Sequence, residues 1–171
     1  MKIPSIKLRR GLEVATNIAI IVLTVVIVGN LLQAKLRSKK DLSAPTVGTQ
    51  MSLTGIKWEE NGSTLLMVLQ KGCRYCEESA SFYRRLRDQR SGSQPRMLAV
   101  VPGDKTDVAR YLSERGVLVD DIINVSLSDI NVSATPTLFL VDRSGKVRDV
   151  WVGKLDQRKE AEVAQRILDS H

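Results

Sequence analysis

With 171 residues and a formal charge of +7, the chain has room for a short anchor and one domain rather than two. Residues 1–49 hold eight Lys or Arg against two acids, and residues 50–171 hold eighteen against seventeen. The basicity therefore belongs to the N-terminal region, and the near-neutral remainder offers no basic field for nucleic acid.

Residues 1–11 read as a basic tail. Residues 12–32 follow as a run with one formal charge, Glu13, near its edge. At about 1.5 Å rise per residue the run covers about 31 Å, close to the ~30 Å hydrocarbon core of a bilayer. It exceeds the apolar stretch of a cleaved signal peptide, and no A-x-A pattern follows it. An uncleaved transmembrane anchor is expected. Lys2, Lys7, Arg9 and Arg10 precede the run and Lys35, Arg37, Lys39 and Lys40 follow it, so the positive-inside count is tied and does not set the orientation. Residues 33–49 mix charge with Ser, Pro, Gly and Thr and read as a linker, leaving 50–171 as the domain.

Within the domain, residues 51–58 alternate enough for a strand, and 59–62 (EENG) read as a turn. Residues 64–69 are a continuous run of strand length, as expected for a strand covered on both faces. Residues 77–90 form a helix pattern with Ala80, Phe82, Tyr83 and Leu86 as its apolar positions. Residues 97–101 are a strand stopped by Pro102–Gly103. A helix capped by Asp104 or Thr106 runs to about Arg115 with Val108, Tyr111 and Leu112 inward. Residues 122–127 read as a strand, 137–141 and 146–152 as a hairpin, and 156–168 as a helix with Val163, Ala164, Ile167 and Leu168 inward. The order predicts an α/β fold with an antiparallel hairpin at one side of the sheet.

The only two cysteines, Cys73 and Cys76, share one motif, which excludes a disulfide-stapled scaffold. The motif lies between a buried strand and a helix. There the helix dipole and free N–H groups favour a thiolate at Cys73. Three residues on, Cys76 shares its helical face and is placed to attack a mixed disulfide. Lys71 and Arg74 reinforce the thiolate; Glu77 and Glu78 oppose it. Cys73 is expected to be the more acidic and exposed thiol, Cys76 the more buried. Zinc wants four N or S ligands, and the one histidine is His171; no metal site is expected, although a pair of buried core cysteines is an alternative. No nucleotide or flavin motif is present, so no cofactor is expected.

With Thr135–Pro136–Thr137 ahead of strand 137–141, and with the closing hairpin, Gly153 and last helix, residues 47–171 resemble the thioredoxin superfamily. The resemblance implies a central mixed sheet flanked by helices, a cis Pro136 beside the cysteines, and pairing of the Thr135 backbone with substrate polypeptide. Arg74 and Tyr75, between the cysteines, are further candidates for substrate contact. The anchor, the linker, Val47–Gly48 and the long interval from Cys73 to Pro136 are similar to the membrane-tethered, TlpA-like reductases of cytochrome maturation. That branch implies a periplasmic domain on the cytoplasmic membrane. It would reduce disulfides of exported proteins with electrons from a membrane or periplasmic thiol donor.

Three positions depart from the family pattern: Gly72 where many relatives carry Trp, no acid within residues 64–69, and Ser79 where the tethered branch often has Glu. The proton acceptor for Cys76 is therefore open among Glu77, Glu78 and Glu60. Two alternatives share the fold. A peroxiredoxin would have Pro and Thr ahead of its cysteine, where this chain has Gln70, and a copper-delivery protein would add a histidine. The basic run Arg84, Arg85, Arg87 and Arg90 reads as a solvated face or as a dock for an acidic partner. Trp58 and Trp151 read as packing residues, and three Asn-x-Ser matches (Asn61, Asn124, Asn131) as chance.

Overall fold

The computed structural model describes residues 16–29, 45–90 and 95–170. The chain divides into two units, Met1–Asp41 and Leu42–His171. In the first, residues 16–29 form helix α1, whose Ile18, Ile21, Leu23 and Val25 side chains are exposed. Among the described residues, no helix is long and apolar enough to cross a membrane. The expected basic tail, both ends of the 12–32 span and most of the 33–49 linker lie outside the described residues.

The second unit is built on strand β1, Thr64–Val68, which is buried at every position. Strands β2 (Arg96–Val100), β3 (Asp121–Ile123), β4 (Thr137–Val141) and β5 (Val147–Val152) complete a five-stranded sheet ordered β3-β2-β1-β4-β5. β1, β2 and β3 are mutually parallel; β4 runs antiparallel to β1 and to β5. Alternate side chains leave a strand on opposite faces. Leu65 and Met67 thus join one cluster with Phe82, Tyr83, Val108, Val163 and Cys76. Leu66 and Val68 join another with Met51, Leu53, Ile130, Val132 and Phe139. Helices α4 (Ala80–Gln89), α5 (Lys105–Glu114) and α6 (Gln157–Leu168) supply the first cluster. Asp104 caps α5 by accepting from the N–H groups of Thr106 and Asp107, and Asp156 caps α6 from Lys159, relieving donors that would otherwise be orphaned.

Several elements differ from expectation. Residues 51–58 are not a strand. Gly48 N donates to Val147 O, Val147 N to Thr49 O and Met51 N to Gly145 O, so a short strap lies along the β5 edge; only Gln50 forms a bridge, with Lys146. Met51 and Leu53 do alternate, but they fill the core from a loop rather than from a ladder. Helix α2, Trp58–Asn61, stands where a turn was expected. The strand at 122–127 shrinks to Asp121–Ile123. Beyond it, Asn124 accepts from Gly103 N and the Ser126 and Ser128 hydroxyls bond one another, local bonds that compete with a ladder. Leu168 is 45% exposed, because a residue five positions after Val163 has rotated about 140° off its face.

Candidate active site

The chain leaves β1 at Val68, and Leu69 N is held by Val100 O at 3.0 Å. Gly72 takes φ +75° with nothing within 4 Å of where a Cβ would stand. The left-handed backbone, rather than close packing, favours glycine at this position. The helix starts at the cysteines, as expected from the motif and ahead of the 77–90 apolar pattern, as α3, Arg74–Glu78. Cys73 is its N-cap: its Sγ accepts from Cys76 N at 3.2 Å. Ser79 (φ −87°, ψ −6°) separates α3 from α4, its hydroxyl donating to Tyr75 O at 2.8 Å. The expected helix 77–90 is therefore two pieces. With only five residues in α3, nearby N–H donors rather than a long dipole stabilise charge at Cys73.

β4 begins beside this turn. Its Thr137 is paired in register with Val68, so the segment preceding β4 reaches the same end of the sheet as the cysteines. The Thr135–Pro136 bond is cis. The Cys73 thiol lies 3.4 Å from Thr135 O, to which it donates, and Pro136 O accepts from Gly153 N at 2.7 Å. Cys73, Cys76, Thr135 and Pro136 thus come together. Arg74 and Tyr75 stand on the rim, Tyr75 56% exposed.

The two thiols are electrostatically unequal. Partial burial pushes Cys73 up, but hydrogen bonds from the Cys76 and Thr135 side chains and from the Cys76 and Tyr75 backbone outweigh it and hold it below its ordinary value. Burial pushes Cys76 up to about 12, helped by its bond with Cys73 and by the charge there, against the Gln70 backbone and Thr135. Cys73 is free and half-buried; Cys76 is free and buried.

Each of the three acids considered as proton acceptors has an ionic partner. Glu77 pairs with Arg115 (2.7 Å), Glu78 with Arg74 and Lys154 (each 2.7 Å), and Glu60 with Lys57 (3.0 Å). Two tyrosines feel both sulfurs. Burial raises Tyr83, opposed by a hydrogen bond with Ser79, and both cysteines raise it further. Burial likewise raises Tyr111, opposed by Arg115, whose guanidinium carbon lies 3.9 Å from the ring centroid. Tyr83 and Tyr111 are legible from helical periodicity as core residues; nothing in their spacing brings them to the cysteines. Among the described residues, no cluster of three His, Cys, Asp or Glu side chains could hold a metal.

The basic run of α4 is divided: Arg84 and Arg85 stay exposed, while Arg87 and Arg90 are partly withdrawn from solvent. Arg84 donates to Arg115 O, Arg85 pairs with Glu160, and Arg87 and Arg90 converge on Asp120. Trp151 is buried and donates to Glu162 at 3.3 Å.

The sheet order, the helix-capping cysteine and the cis proline beside it define a thioredoxin-like α/β protein. No family model and no curated protein matches the chain in sequence. Solved structures do match in fold. A putative thiol:disulfide interchange protein DsbE from Chlorobium tepidum superposes with a TM-score of 0.56 at 19% identity, covering 75% of this chain and 97% of that one. A thiol-disulfide isomerase from Corynebacterium glutamicum gives 0.55 at 16%, covering 74% and 95%. The thioredoxin domain of a thiol-disulfide oxidoreductase from Bacteroides vulgatus gives 0.53 at 13%, covering 74% and 98%. At such identities the likeness is one of fold, and it agrees with the resemblance read from the cysteine motif.

Proposed function

We propose that the chain is a membrane-tethered thiol–disulfide oxidoreductase that reduces disulfides of exported proteins through Cys73 and Cys76. The observation that carries the reading is the unequal thiol pair: an accessible, acidified Cys73 capping a helix beside the Thr135 carbonyl and Pro136, with a buried Cys76 one turn on. The Cys73 thiolate attacks one sulfur of a substrate disulfide. That S–S bond breaks, a mixed disulfide forms, and the first substrate sulfur leaves as a thiolate that takes a proton. Cys76 then loses its proton and attacks Cys73 Sγ, releasing the second substrate thiol and leaving a Cys73–Cys76 disulfide. Two electrons have passed to the substrate, and a membrane or periplasmic dithiol donor returns them. The Thr135 backbone pairs with the substrate polypeptide, and Arg74 and Tyr75 touch it from the rim. In this reading residues 12–32 anchor the chain in the cytoplasmic membrane, 33–49 are the linker, and 50–171 face the extracytoplasmic side.

Trapping tests the proposal. Full-length Cys76→Ala expressed in its host accumulates mixed disulfides through Cys73, which mass spectrometry identifies. Redox titration of the wild type then gives the direction, values near about −270 mV marking a reductant and near about −120 mV an oxidant. The proposal falls if no partner is trapped and the wild type leaves insulin disulfides intact. Peroxide turnover surviving Cys76→Ser, or tight copper binding without disulfide exchange, also overturns it.

A further inference from the structure

We infer that Glu78 is a positioning residue for the exchange reaction, strapping the cysteine-bearing helix to the loop that supports Pro136 and so fixing the cleft a polypeptide substrate must enter. The inference rests on the function proposed above. Glu78 Oε1 accepts from Arg74 Nε at 2.7 Å, and Oε2 accepts from Lys154 Nζ at 2.7 Å. Arg74 directly follows Cys73. Lys154 directly follows Gly153, whose N–H holds Pro136 O at 2.7 Å. The Arg74 pair lies within α3, and the Lys154 pair crosses from α3 to the turn after β5. The neighbouring Glu77 holds the same helix from the other side through Arg115, so α3 is braced in two directions.

Such a strap contributes little to global stability. The Arg74 and Lys154 side chains are 86% and 47% exposed, and exposed ion pairs are weak. Its effect falls on geometry, because a reaction between sulfurs tolerates little misplacement of the attacking atom. A protein substrate engages the Cys73 turn and the Pro136 wall together and feels their relative position. A small disulfide meets Cys73 alone. The ionic partners also hold Glu78 below the ordinary carboxylate range, its bonds with Lys154 and Arg74 leading, so the strap is intact at neutral pH.

Glu78→Gln and Lys154→Met each break the strap, with opposite changes of charge. In the pre-reduced full-length chain, both are expected to lower the second-order rate constant for insulin reduction by about threefold to tenfold. Reduction of the small, uncharged hydroxyethyl disulfide should stay within about twofold of wild type. The double variant should be no worse than the poorer single one, since the strap is already gone. Coincident urea midpoints establish that the variants fold. Opposite effects of the two single variants would assign the result to charge alone and overturn the inference; so would an equal loss on both substrates, or no loss on insulin. A wild type inert towards both disulfides overturns the exchange reading itself, a pattern distinct from these.

Discussion

The inequality of the two thiols can be measured by alkylation. At pH 7 a thiol at the ordinary value of 9.0 is about 1% thiolate, and Cys73, held below that value, exceeds it. Cys76, pushed to about 12, is ionised to about one part in 10⁵, so the thiolate populations differ by at least ~10³. A more basic thiolate is also a better nucleophile, and a Brønsted slope of ~0.4–0.5 returns a factor of about 20 to Cys76. The net expectation is that iodoacetamide modifies Cys73 at least ~50-fold faster than Cys76 in the reduced full-length chain, before the burial of Cys76 slows it further. Peptide mass spectrometry after timed quenching reads both rates. Across pH, the Cys73 rate should reach half its plateau below pH 9 while the Cys76 rate is still climbing at pH 10. Rates within tenfold of one another at pH 7, or a Cys73 midpoint at or above pH 9, would refute the reasoning.

Two further expectations concern the scaffold. Asp120→Ala leaves Arg90, a side chain only 7% exposed, without its carboxylate and removes the acceptor of Met97 N; a loss of about 2 kcal/mol in urea unfolding is expected. Burial works against the Asp120 charge, but Arg90, the Met97 backbone and Arg87 hold its folded pKa below the unfolded one. Its contribution is therefore complete above about pH 4 and fades as the pH falls through the folded value, so the gap between variant and wild type should close in acid. Gly145→Ala forces a Cβ into a position at φ +81° that lies 2.6 Å from Gln50 Nε2 and 2.7 Å from Trp58 Cδ1. It should cost about 1–3 kcal/mol and shift Trp58 fluorescence; an unchanged midpoint would count against the strap on the β5 edge.

The elements that were legible in the sequence are those whose residues meet the core at a regular period. β1 announces itself as an unbroken run, α5 through Val108, Tyr111 and Leu112, and α6 through Val163 and Ile167, all buried. The meeting of Cys73 with Pro136 was legible only through resemblance, since no spacing rule joins positions that the sheet brings together. What stayed hidden depends on partners distant in the chain. Met51 and Leu53 look like strand residues because alternation cannot reveal that the neighbouring edge is paired only near residues 145–147. The arginines of α4 look alike until Asp120 arrives from another element and draws in Arg87 and Arg90, while Arg84 and Arg85 stay exposed. The ionic partners of Glu77 and Glu78, Arg115 and Lys154, are equally invisible in the sequence. Tyr83 and Tyr111 reach the thiols from separate helices, a proximity that exists only after folding.

The pairing of β1 with β4 has a consequence for how damage to this protein shows itself. From Thr64↔Val141 to Val68↔Thr137 every position of the two strands is buried, and a slip of one residue would turn each side chain to the wrong face. The cysteines and the proline are thereby indexed to each other by hydrophobic pairing far beneath them. A core lesion such as Phe139→Ala should lower the number of competent molecules while leaving each survivor's rate constant untouched.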